Sequence, residues 1–82
     1  MNNSTIMAIK VNNRKVEAHR IQDILTEHGC VIRVRLGVHD AGTECSDEGL
    51  ILLQLCGGKG ELAAMESALN GIEGVKAVSM EI

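Results

Sequence analysis

The chain contains no phenylalanine, tyrosine or tryptophan and no proline among its 82 residues. Without aromatic rings, a core must come from Val, Ile, Leu, Met and Ala. There is also no large planar side chain to anchor an interface or to stack on a nucleic-acid base. Without proline, no internal backbone N–H is lost as a hydrogen-bond donor. Basic charge is scarce as well: eight Lys and Arg against eleven Asp and Glu leave a net charge of -3. That sign argues against a stand-alone nucleic-acid binder, which shows a basic footprint. No stretch approaches the ~18 apolar residues of a membrane span. The opening MNNSTIMAIKV lacks the basic-then-apolar pattern of a signal peptide, so a soluble, cytoplasmic protein is expected. Cys30, Cys45 and Cys56 are odd in number and widely spaced. They read as reduced thiols rather than a disulfide framework.

What is present reads as a single domain over residues 1–82, at a length where roughly 60–65% of the unfolded surface is buried. STIMAIKV (4–11) alternates as a strand, with Ile6 and Ala8 on one face and Met7, Ile9 and Val11 on the other. RKVEAHRIQDILTEH (14–28) has helical period, with Val16, Ile21, Ile24, Leu25 and His28 as its apolar stripe. Gly29 is expected to end it with positive φ. VIRVRLGVHD (31–40) alternates strictly and reads as a second strand. HDAGTECSDE (39–48) reads as an acidic loop, and GLILLQLC (49–56) as a strand apolar on both faces. GGKG (57–60) is expected as a loop before a helix over 61–70, which carries Leu62, Met65 and Leu69. Gly71 and Gly74 bracket a turn into a last strand, VKAVSMEI (75–82).

The order βαββαβ predicts a ferredoxin-like α+β sandwich, with a four-stranded antiparallel sheet and two helices on one face. The first and third strands are central in that topology, matching their apolar character. The other face of the sheet is then left uncovered although it carries aliphatic residues, which a monomer rarely tolerates over several hundred Å². A second copy of the chain is the expected cover, giving a homodimer or a higher oligomer such as a tetramer. In the second strand, alternation predicts Ile32, Val34, Leu36 and Val38 toward the helices. Arg33, Arg35, Gly37 and His39 are then expected on the open face. This row reads either as the polar rim of a sheet-to-sheet interface, with the arginines paired to acids such as Glu81 or Glu44. Or it reads as a ligand site at the subunit boundary, where guanidinium forks hold a carboxylate or phosphate.

The helix NRKVEAHRIQDILTEHG, the strand VIRVRLGVHD and the terminal LNGIEGVKAVSMEI together resemble a family. It is the family of small regulators associated with iron-only hydrogenase maturation systems. The resemblance runs from about Ile6 to the C-terminus and is most specific at Arg14, at Arg35-Leu36-Gly37 and at Gly74-Val75. It implies an oligomeric regulatory domain similar to ACT domains and to the C-terminal domain of the nickel-responsive repressor. Where the family tends to have a proline two residues after the glycine, this chain has His39.

Other chemistry is weakly supported. His39 and Cys45 share the acidic loop and could each give one ligand to a metal completed by a second chain, but no pair has the spacing of C-x-x-C or H-x-x-x-H. Cys30 and Cys56 read as small apolar residues. GGKG fails the P-loop pattern, and the acidic loop lacks a calcium ligand ladder. Cys45 with His39 is the only local nucleophile-and-base pair, without hydrophobic shelter, so no enzyme is expected. The expected function is effector or partner-protein binding at a subunit interface through Arg33, Arg35, Gly37 and His39, with no cofactor. The alternatives are a metal-responsive sensor using His39 and Cys45, and a structural interaction module without ligand.

Overall fold

The computed structural model describes residues 4–12, 14–38 and 49–82; for residues 14–18 and 38 it describes the backbone alone. The elements are β1 (Thr5–Val11), α1 (Arg14–Glu27), a single 3₁₀ turn (Gly29–Val31), β2 (Ile32–Val38), β3 (Gly49–Leu55), α2 (Lys59–Asn70) and β4 (Val75–Glu81). The sheet order is β2-β3-β1-β4, antiparallel at every step. This is the ferredoxin-like α+β arrangement, with β1 and β3 central as their two apolar faces predict.

The core lies between the sheet and the helices. Met7, Ile9 and Val11 of β1, Leu53 and Leu55 of β3, and Val75 and Ala77 of β4 meet Ile21 and Leu25 of α1 and Leu62, Met65 and Leu69 of α2. These helix positions are those that the 3.6-residue period selects. With no ring available, two methionines fill the centre, where an unbranched thioether adapts to irregular gaps.

Two boundaries differ from expectation. Gly29 does not take positive φ; α1 runs instead into the 3₁₀ turn, which drops Val31 into the core. The positive-φ glycines among the described residues are Gly57 and Gly74. Gly57 is where β3 turns toward α2, and a Cβ there would sit 2.9 Å from Val31 Cγ1. Lys59 and Gly60, expected in the loop, form the first turn of α2.

The larger difference lies in β2. Ile32 stands opposite Leu55, but Val34 stands opposite Gln54, so Arg33 is an extra residue and the register shifts there. Such a bulge inverts the alternation beyond it. Ile32 alone keeps its expected place against the core. Arg35 and Gly37 fall opposite Leu53 and Ile51, on the side of the helices, while Val34 and Leu36 fall opposite Gln54 and Leu52 on the open face. The expected orientation of the row is therefore reversed at Val34, Arg35, Leu36 and Gly37. The physical reason is that Val31 and Ile32 are consecutive and both reach the core. Past them, α1 presents Gln22 rather than an apolar side chain, and Arg35 Nη1 donates to Gln22 Oε1 at 2.9 Å.

Candidate functional site

The registers assign every strand residue to a row across the open face. One row runs Val34, Gln54, Ile6, Met80; the next runs Leu36, Leu52, Ala8, Val78. A third places Leu50 beside Lys10 and Lys76, whose like charges stand directly opposite each other, an unfavourable cross-strand pair. Val34, Leu36, Val78 and Met80 are 49%, 55%, 51% and 61% exposed, and Ile82 beyond them is 75% exposed. The aliphatic residues of the open face thus form one band across all four strands. The bulge strengthens the band, because it delivers Val34 and Leu36 to this face where two charged or small residues were expected.

The same registers show which backbone groups point outward at the two edges. Ile82 N–H donates to the Ser4 carbonyl and Asn12 N–H to the Gly74 carbonyl, both at 2.8 Å. In an antiparallel ladder, bonded and non-bonded pairs alternate. The even-numbered residues of β4 therefore bond β1, and Val75, Ala77, Ser79 and Glu81 turn their N–H and C=O outward. Val75 N–H is satisfied by the Ile72 carbonyl at 3.1 Å. Ala77 is held by Asn70, whose side-chain nitrogen donates to the Ala77 carbonyl at 3.0 Å and whose oxygen accepts the Ala77 N–H at 2.7 Å. The Asn70 amide acts as a one-residue strand. Ser79 and Glu81 have no backbone partner of this kind among the described residues. By the same alternation, β3 uses its even residues for β2, as Cys56 N–H to the Val31 carbonyl at 2.8 Å confirms. Arg35 and Gly37 then form the outward set of β2.

The residues expected to act together are only partly brought together. Arg35 and Gly37 share the outer edge of β2 on the helix-facing side, and Arg33, exposed, occupies the bulge beside them. A Cβ on Gly37 would meet nothing within 4 Å. His39, Glu44 and Cys45 lie outside the described residues. Glu81 belongs to the opposite edge strand, so it cannot pair with Arg35 of the same chain. Cys30, expected as a small apolar residue, is exposed, and Cys56 is intermediate; both are thiols. Among the described residues no group of three or more His, Cys, Asp or Glu could hold a metal.

A groove of about 510 Å³ lies along the outer edge of β4 under α2, lined by Lys59, Leu62, Glu66, Asn70, Ser79 and Glu81 among others. The Ser79 hydroxyl donates to Glu66 Oε1 across it. This groove was not expected from sequence. Its residues are spread from position 5 to position 81, and Asn70 read only as the end of a helix. A second polar contact, His28 Nδ1 to Glu61 Oε2 at 3.2 Å, ties the end of α1 to the first turn of α2.

No protein-family model matches the chain, and no curated protein shows significant similarity to it. Solved structures do match in shape. The uncharacterized protein TM1266 from Thermotoga maritima superposes with a TM-score of 0.84 at 20% identity, over 96% of this chain and 95% of that one. CutA1 from Oryza sativa superposes with a TM-score of 0.55 at 11% identity, over 98% of this chain and 80% of that one. At these identities the likeness is one of fold. No described helix is long and apolar enough to cross a membrane.

Proposed function

We propose that this chain is a small oligomeric regulatory domain of ACT-like type that binds an effector or a partner protein at the boundary between subunits, and that it regulates an iron-only hydrogenase system. The observation that carries the oligomeric part is the aliphatic band of the open face, formed by Val34, Leu36, Leu50, Val78, Met80 and Ile82. A band of this kind is a protein–protein contact surface more often than bare surface. The regulatory part rests on the sequence resemblance carried by Arg14, Arg35-Leu36-Gly37 and Gly74-Val75. Arg33 and Arg35 would supply positive charge at the boundary, and Gly37 would leave room beside them. His39, outside the described residues, would add an imidazole to the set. No catalytic role is proposed.

Native mass spectrometry of protein purified under reducing conditions tests this reading. It is expected to show an oligomer, and an effector would add mass that Arg35→Ala removes while the oligomer persists. A bare monomer would overturn the reading. An oligomer whose bound mass is a metal, lost in His39→Ala, would favour a metal-responsive sensor instead.

A further inference from the structure

The two outer edges of the sheet are complementary to each other. Resting on the reading that the chain self-associates, we infer that the β2 edge of one copy adds to the β4 edge of the next. The two sheets then run on as one, with helices on the same side. β4 and β2 run in opposite directions within the sheet. A neighbour displaced sideways therefore meets β4 antiparallel, the geometry of strand addition at an open edge.

One register satisfies both faces. If Arg35 of the neighbouring copy stands opposite Glu81, then Gly37 stands opposite Ser79, Leu36 opposite Met80 and Val34 opposite Ile82. Arg35, Gly37, Ser79 and Glu81 are the residues whose N–H and C=O point outward, so the backbone bonds fall where neither edge has a backbone partner among the described residues. On the open face, Leu36 with Met80 and Val34 with Ile82 continue the aliphatic rows into the next subunit. On the helix side, Arg35 meets the carboxylate of Glu81 at the mouth of the groove that also holds Glu66. Gly37 places no side chain against the Ser79–Glu66 bond. The addition ends where Asn70 already occupies the backbone of Ala77.

The two-fold alternatives fit less well. Pairing β4 with β4 about Met80 sets Glu81 beside Ser79 of the other copy, and hence beside its Glu66. Pairing β2 with β2 about Leu36 sets Arg35 opposite Gly37, with no acid, and leaves Ser79 and Glu81 uncovered. The edge-to-edge contact is heterologous, so it builds a ring if the rotation closes and a chain if it does not.

The test uses two exposed positions of the open face. Chains carrying Leu36→Cys are mixed with chains carrying Met80→Cys and oxidised, and linked peptides are mapped by mass. Leu36 and Met80 form a non-bonded pair in this register, where Cβ atoms approach most closely. A 36-to-80 link between chains is expected, found in the mixture alone. Links of 36 to 36 or of 80 to 80, or none while native mass spectrometry still shows an oligomer, would overturn the edge inference and leave the self-association standing. A monomeric wild type would overturn both. In parallel, Arg35→Glu and Glu81→Arg are each expected to weaken association by roughly fivefold to tenfold per contact, the swing from an attractive to a repulsive cross-strand pair. Mixing the two variants should restore it. Unchanged association of Glu81→Arg would overturn the inference.

Discussion

Gly57 is the residue whose replacement the structure penalises most directly. It combines a φ of 127° with a Cβ position 2.9 Å from Val31 Cγ1, so Gly57→Ala meets both backbone strain and a core side chain. A loss of about 1–3 kcal/mol is expected, read as a lower urea midpoint with unchanged slope. Gly37→Ala, with nothing within 4 Å of its Cβ, should leave the monomer fold as stable as wild type in the same measurement. Met65→Ala tests the ring-free core. The side chain is fully buried, and a loss of about 2–5 kcal/mol is expected from transfer and cavity terms together. The sequence showed Leu62, Met65 and Leu69 as one buried stripe because helical period is a local property. Asn70 two-point binding to Ala77 was not legible, because it depends on how far α2 overhangs an edge strand.

At the scale of elements, all four strands and both helices were readable from period and glycine placement, and their order was enough to derive the topology. What alternation could not supply was the phase of β2. Periodicity assumes that the register advances by one residue at every step, and at Arg33 it shifts. The site expectation inherited that error: Arg35 and Gly37 were rightly paired with each other but assigned to the wrong face. The edge of β4 makes its own prediction. Asn70→Ala exposes the N–H and C=O of Ala77 and should cost about 1 kcal/mol, since water replaces part of what is lost. Asn70→Asp keeps an acceptor for the N–H but turns a carboxylate toward the Ala77 carbonyl, so it should not rescue stability. Thermal melts of the three proteins side by side check both statements.

The whole molecule is a two-layer structure with one layer dry on a single side. Its inner face holds Met7, Ile9, Leu53 and Leu55 at or near zero exposure, while its outer face keeps a band of similar chemistry in the open. Val78→Lys together with Met80→Lys should leave the helix–sheet core intact, because neither side chain reaches it. The same pair should abolish the oligomer, and sedimentation velocity at two concentrations reads the difference. Each removes an aliphatic or thioether group that contributes roughly 1.5–3 kcal/mol when fully covered. The bulge at Arg33 also makes the outer face indifferent to the loss of one codon. Deleting Arg33 leaves Ile32 opposite Leu55 and Val34 opposite Gln54, so β2 pairs evenly while Val34 and Leu36 still point outward. The in-frame loss of that codon is thus an edit that assembly through this face would not register.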